Sequence, residues 1–276
     1  MNASNNGVIS RIVKATLAPI LLLIVWEGLS RLGAISPQTL PPPSKVFLRW
    51  INYALPLEPF SPGQNRLAWA LSGELPTDAA ATVYRVIVGF LIGAGLALPL
   101  GLLMGSMRRV YELFNPLIQI LRPIPPIAYI PLAILWFGLG DPPAFFLISL
   151  GAFFPVLMNT ISGVRNVDAI YILAARNIGA EGATMFIRVI LPAATPYILT
   201  GMRVGVGVAF ICVIVAEMMA VNNGLGFRIL EAREFFWSDK IIAGMITIGL
   251  LGLAIDTGMA RINSYLLRWR SSEHSS

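Results

Sequence analysis

Six stretches of this chain stay apolar for about the length of a bilayer crossing, and the polar residues collect between them. A hydrocarbon core about 30 Å thick takes about 20 mostly apolar helical residues. The runs predict spans over Ala15–Gly33, Ala79–Gly105, Pro116–Gly138, Pro143–Gly163, Ala193–Val221 and Ile241–Tyr265. The third is interrupted by Pro123, Pro125, Pro126 and Pro131, which remove backbone donors and break a helix. Gly89, Gly93, Gly95, Gly101 and Gly105 in the second span, and Gly201, Gly205 and Gly207 in the fifth, give the small-residue spacing that lets helices approach closely. The expected fold class is therefore all-α, a polytopic membrane protein with six transmembrane helices. Arg11 and Lys14 ahead of the first run resemble the start of a signal peptide, but Leu32–Ser36 offers no small-residue cleavage site, so we read a retained span. No internal repeat of the kind built into many secondary transporters is evident.

Between the first two spans, Ser44 follows Pro41-Pro42-Pro43 and is expected to cap a short helix. In Lys45–Leu55, Phe47, Trp50, Ile51, Ala54 and Leu55 recur at helical spacing, with Lys45, Arg49 and Asn52 on another face. That pattern predicts a helix lying along the membrane surface. Pro56–Pro76, rich in Pro, Gly and Ser, predicts an irregular loop. The organisation is then residues 1–14 as a terminus, 15–78 as the first span with its outer helix and loop, 79–265 as the core of spans two to six, and 266–276 as a polar tail.

Charge orients this arrangement. One side collects Arg11, Lys14, Arg108, Arg109, Arg165, Arg176, Arg188, Arg261, Arg268 and Arg270 against few acids, a surplus of six positive charges. The other side balances seven bases, Arg31 to Lys240, against seven acids, Glu58 to Asp239. The excess of Lys and Arg marks the cytoplasmic side, placing both termini there.

Composition agrees: 56% of residues are hydrophobic and 12% charged, half the usual charged share of about 25%, and mean hydropathy is +0.74. The net charge of +6 then reads as orientation bias, not as a nucleic-acid surface. The sole cysteine, Cys212, lies in an apolar run, and the sole histidine, His274, in the tail. Neither a Ser–His–acid constellation nor a Cys/His metal cluster can be assembled. No Gly-x-x-x-x-Gly-Lys-Ser/Thr phosphate loop occurs, so no catalytic residue, metal or cofactor is expected on this chain.

Ionisable residues at membrane depth need a partner or a wet cavity. Glu27, Arg85, Arg122, Arg203, Glu217 and Asp256 are the candidates, Glu27 and Arg85 being near enough to span ends to snorkel. Structural ion pairs between spans are one reading. The sharper one is that Arg122, Arg203 and Glu217, with Pro123, Pro125 and Pro126, line a path for an anion, since carbonyls freed by proline are tolerated only against protein or water.

The remaining signal lies between spans four and five. Asp168–Ala180 and Glu181–Val189 predict two short amphipathic helices hinged near Gly179-Ala180, with Ile172, Ala175, Ile178 and Gly179 on one small apolar face. A cytoplasmic helix with such a face buries it on the membrane interface or on a soluble partner.

The segment from Ala174-Ala175 through Gly179 to Leu191-Pro192 resembles the cytoplasmic loop of the membrane subunit of binding-protein-dependent ABC importers, with Leu173 where that family often has Glu. The resemblance extends along the chain through Leu40–Val46, Arg122–Ala128, Leu135–Gly140, Pro196–Arg203, Ala216-Glu217-Met218 and Gly224-Leu225-Gly226, and is similar to the nitrate/sulfonate/taurine branch. Ala232–Phe236 and Leu267-Arg268-Trp269 look more like the sulfonate or taurine permeases, with nitrate, bicarbonate and cyanate permeases behind. It implies a permease subunit of type I importer fold in a bacterial plasma membrane, not itself a hydrolase. A coupling helix at about residues 168–190 would meet the ATPase through Tyr171, Ala174, Ala175, Arg176, Gly179, Ala180, Phe186, Leu191 and Pro192. Its implied partners are cytoplasmic ATP-binding subunits, which hold ATP and Mg, a second permease copy, an external substrate-binding protein that docks near Asn222–Lys240, and membrane lipid. An ion-gradient-driven transporter is the rival class.

Overall fold

The computed structural model describes residues 3–56, 58–63 and 65–267, so the expected tail beyond Leu267, with His274, lies outside the described residues. The regular elements described are all helical: α1 (Ala3–Arg31), α2 (Pro43–Ala54), α3 (Arg66–Ala70), α4 (Glu74–Ser106), α5 (Arg108–Leu121), α6 (Ile130–Phe137), α7 (Asp141–Arg165), α8 (Ala169–Asn177), α9 (Gly182–Met185), α10 (Leu191–Ala220), α11 (Leu225–Glu234) and α12 (Ser238–Leu266). Among the described residues, α4, α7, α12 and the run Gly182–Ala220 are each long and apolar enough to cross a membrane, and α5 with Pro126–Phe137 makes a fifth candidate if counted as one broken span.

That third span differs from its expected form. Helix begins at Arg108, and the chain bends by 82° between Leu121 and Pro126. Pro123, Pro125 and Pro126 cannot donate, Pro125 is extended, and a 3-10 turn over Pro126–Tyr129 leads into α6. The short helix expected over Glu181–Val189 is not separate from the fifth span: Phe186–Ile190 forms a π-helical turn and the helix runs on past Pro192 from Gly182 to Ala220. The Leu191 N–H reaches the Phe186 carbonyl, five residues back. A widened turn of this kind makes room for the proline ring and for its missing donor.

The described residues divide into two compact units, one comprising those up to Thr77 with Arg228–Thr247, the other Asp78–Phe227 with those from Ile248 onward. In the first, Glu27 of α1 does not snorkel; its carboxylate accepts from the Ser44 N–H at 3.1 Å and hydroxyl at 2.8 Å, and from Arg31 at 2.6 Å. Ser44 is therefore not the expected cap: α2 starts at Pro43, and a side chain from α1 serves its first turn. Val46 and Tyr53 are buried and Trp50 donates to Thr247 at 2.9 Å, whereas Phe47, Leu48, Ile51 and Leu55 are exposed. The loop expected over Pro56–Pro76 contains α3, capped by Asn65, and its end is already the start of α4.

The second unit holds the core, built on α7. It packs along α10 over most of its length and against α6, burying Leu147, Ile148, Val156, Leu157, Val206 and Val213. Glycines set the spacing: a Cβ at Gly93 would run into the Ser149 carbonyl of α7, and one at Gly205 would stand 2.9 Å from Val156. Gly95 and Gly207, expected in the same stripes, meet no neighbour within 4 Å.

Candidate functional site: a groove, a buried ion cluster and a cytoplasmic segment

Residues expected to act together separate into three places. The first is a groove of about 330 Å³ where the end of α5 and the proline turn meet α7 and α10. Arg122 and Pro126 line it, with Phe154, Asn159, Val204 and Val208. Arg122 caps α5, is exposed, and forms no ion pair among the described residues. Asn159 donates its amide N–H to the Pro155 carbonyl, leaving its oxygen as a polar group in a mostly apolar wall. Pro123 and Pro125 shape the turn but are not among the lining residues, and neither are Arg203 and Glu217.

Glu217 sits instead in the second place. It is completely buried on α10, and one oxygen accepts from Arg85 Nη1 at 2.7 Å. The other accepts from Thr82 at 3.0 Å and from the Gly226 N–H at 2.9 Å. Arg85 was expected to snorkel from a span end. It is 3% exposed and donates through Nε to Asp141 at 2.7 Å, through Nη1 to the Asn223 carbonyl at 3.1 Å and through Nη2 to the Asn223 side chain. Thr82 in turn accepts from the Leu225 N–H, and Asp78 from the Gly224 N–H. The cluster ties α4, α7 and α10 to the turn at Asn222–Gly226. Removing the charge of one partner leaves the other uncompensated, which costs about 3–5 kcal/mol in such buried pairs. Arg203 has a simpler partner: it faces Asp256 of α12 through two hydrogen bonds of 2.6 Å, with both side chains about half exposed. Its donors toward that side are engaged, unlike those of Arg122.

The third place is α8 and the start of the long helix. Asp168 caps α8, accepting from the Ile170 N–H at 3.0 Å. At the other end Gly179 adopts φ +81°, its N–H reaching the Arg176 carbonyl and the Ala180 N–H that of Ala175, each at 2.9 Å. This is a Schellman ending, where a residue with Cβ is strained. Ala175 is the buried contact of α8, and Ala180 is half-buried. Ile170, Tyr171, Leu173 and Ile178 are 53–85% exposed, and Ala174 and Arg176 also face outward. The expected face of Ile172, Ala175, Ile178 and Gly179 is therefore split: Ala175 is covered by this chain and Ile172 half-buried, and the uncovered apolar surface is formed by Ile170, Tyr171, Leu173 and Ile178. Phe186 begins the π-helical turn and, with Gly182 and Ala183, faces Pro99, Leu102 and Leu103 of α4 across an apolar groove of about 570 Å³. Leu191 is half-buried and Pro192 exposed in the continuous helix.

Sequence reasoning names Arg85 and Glu217 but does not join them, and gives Thr82, Asp141 and Asn223 no part in a charge cluster. Opposite charges at similar depth on two apolar helices were the available signal. Nothing local announces that Asp141, 56 residues away, closes the cluster.

The chain as a whole is similar to known transport proteins. The family described as "Binding-protein-dependent transport system inner membrane component" matches residues 97–271. A putative ABC transporter permease of Methanocaldococcus jannaschii is 43% identical over 91% of this chain and 90% of its own. A putative aliphatic sulfonates transport permease of Bacillus subtilis is 36% identical over 94% and 88%, and the taurine transport system permease of Escherichia coli 34% over 90% and 86%. Among solved structures, a chain of the MetNI methionine ABC transporter in inward-facing conformations superposes with a TM-score of 0.59 over 67% of this chain and 92% of that one, at 18% identity, a likeness of fold alone.

Proposed function

Because the chain belongs to the family of binding-protein-dependent transport system inner membrane components, we propose that this multi-pass permease passes a small organic anion, an aliphatic sulfonate or taurine, with nitrate second. The observation that carries the anion reading is the groove of about 330 Å³ with Arg122 on its wall and no carboxylate paired to it among the described residues. That volume lies at the small end of ligand-sized cavities, about 300–1,000 Å³. A fixed guanidinium beside an apolar wall lowers the barrier for an anion with a short apolar body more than for a cation or a sugar. The sulfonate and taurine relatives support the order of cargoes.

The remaining assignments follow from what this chain leaves uncovered. The apolar face of α8 is a coupling helix for a cytoplasmic ATPase, which holds ATP and Mg. Movement there passes through Gly182–Ala220 to the groove, because that stretch is one continuous helix. Six spans result if α1 and the bent pair each cross, which returns both termini to the cytoplasm. Half of the apolar window of α7 is buried within the chain but only 17% of that of α12, a contrast that suits a homodimer with lipid around it. An external binding protein delivers the anion.

The test is reconstitution of the chain with its ATPase and binding protein in vesicles. Arg122→Ala should lower ATP-driven taurine or ethanesulfonate uptake about tenfold, the loss of a charge–anion contact of roughly 1.4 kcal/mol, with ATPase assembly intact and partial recovery in Arg122→Lys. Unchanged uptake kinetics would remove Arg122 from the path.

A further inference from the structure

A second charged recess lies in the other unit, between the first turns of α2 and the segment Phe236–Asp239. Its volume is about 230 Å³, and Lys45, Arg49, Gln38 and Trp237 are among its lining residues. Lys45 and Arg49 stand one helical turn apart, so both ammonium and guanidinium serve the same side of α2. Their donors are underused. The Arg49 Nε is buried without a hydrogen-bond acceptor. Its nearest carboxylate oxygen, on Asp239, is 3.5 Å away, and the other oxygen of Asp239 accepts the Lys240 N–H at 2.9 Å. Lys45 has no ion pair among the described residues and is exposed. Arg49 is thus ion-paired with one oxygen of Asp239 without a hydrogen bond to it, and Lys45 is unpaired among the described residues, so the recess carries two cations against one carboxylate.

The surroundings narrow what fills this recess. Turning about 100° per residue around α2, the exposed Leu48 is the apolar neighbour of Lys45, with Leu55, Ile51 and Phe47 progressively further round the helix. On the opposite wall Trp237 stacks on Phe235 at 4.9 Å, and the Arg49 guanidinium lies 5.8 Å from the Trp237 ring. Phe236 is 86% exposed, and its φ of +56° is a conformation a bulky side chain rarely adopts. A cationic recess edged by exposed Leu48 and Phe236 matches a phosphate group carried at a membrane surface.

We propose that the recess at Lys45 and Arg49 binds an oxyanion, either the headgroup phosphate of a phospholipid or a free sulfonate or phosphate offering the same charged oxygens. It rests on the permease reading only in setting α2 at a membrane surface. Lys45 supplies a point charge, Arg49 directional donors including the buried Nε–H, and Trp237 a flat wall.

The experiment uses the full chain and two arms. In the lipid arm, the protein is exchanged into nanodiscs of phosphatidylglycerol and phosphatidylcholine, re-extracted, and its retained phospholipid counted by native mass spectrometry. In the soluble arm, inorganic phosphate and ethanesulfonate are titrated onto detergent-purified protein by calorimetry. Lys45→Gln, a change at an exposed side chain that this fold does not use, should cut retention or affinity about fivefold, and Lys45→Gln with Arg49→Gln should abolish it. Arg49→Lys should restore little, because a lysine cannot replace the directed Nε–H. Loss confined to the lipid arm identifies the headgroup, and loss in the soluble arm identifies a free oxyanion. Binding equal in the natural chain and Lys45→Gln in both arms, or absent from both, overturns the site. ATP-driven uptake read on the same Lys45→Gln protein separates this outcome from failure of the permease reading, since the proposal expects uptake to continue.

Discussion

The cluster around Arg85 and the segment Ala169–Gly179 are opposite kinds of structure. At Arg85 every charge finds its partner inside the chain: Asp141, Glu217, Thr82, Asn223 and three backbone N–H groups close on one another, and Glu217 is sealed from outside. At α8 the backbone is equally well finished, with a side-chain cap at Asp168 and a Schellman ending at Gly179, yet the apolar side chains point away from the protein. A region that satisfies itself is holding the fold. A region with completed backbone and uncovered apolar side chains is where the proposed coupling surface would lie. The contrast separates two groups of residues that the sequence offered side by side as functional candidates.

The comparison breaks most visibly at Glu217. Glu217→Ala leaves the Arg85 guanidinium buried and short of its main counter-charge, and should destabilise the protein by about 3–5 kcal/mol. Denaturation of purified protein in detergent should show the loss, or little folded protein should be recovered. Glu217→Gln, which keeps most hydrogen bonds, should lose less. Stability unchanged by Glu217→Ala would mean the cluster is not what joins α4, α7 and α10.

Gly179→Val tests the other side. Its Cβ branch at φ +81° costs about 1–3 kcal/mol locally, at the end of a short helix with open space around it. The expected result is a small change in the chain's own melting with a large drop, about tenfold or more, in co-purified ATPase. A melting loss as large as that of Glu217→Ala would make Gly179 a residue of the fold rather than of the coupling surface.

Smallest in effect on the chain is Ile178→Ser. The side chain is 85% exposed, so stability should stay within about 0.5 kcal/mol, as for surface changes away from special features. ATPase pull-down should still weaken several-fold. Full binding by both Ile178→Ser and Leu173→Ser would remove this face from the ATPase contact.

How much of this was legible follows from how far apart the causes lie along the chain. The long helices were readable because a bilayer-length apolar run needs no distant partner to be recognised, and α4, α7 and α12 begin and end within a few residues of the expected spans. The break at Pro123–Pro126 was readable too, because missing donors act locally. Its angle was not, since the bend depends on what α6 packs against. The hinge expected at Gly179-Ala180 is present as a helix ending, and the helix expected after it is present from Gly182 but does not stop near Val189, because the π-helical turn at Phe186–Ile190 carries it past Pro192 into α10.

Composition and apolar spacing by themselves determined that this is an all-helical membrane protein, and motif order pointed to the permease family. These properties sum over many residues and survive local error. Only the tertiary structure decided which charges are structural. Arg85, Arg122 and Arg203 are indistinguishable as arginines in apolar surroundings. One is enclosed by an acid on each of two other helices, one is paired across to α12, and one faces a groove without a carboxylate. The reason is physical: the state of a charge at membrane depth is set by what lies within about 4–6 Å of it, and those neighbours come from residues scores of positions away.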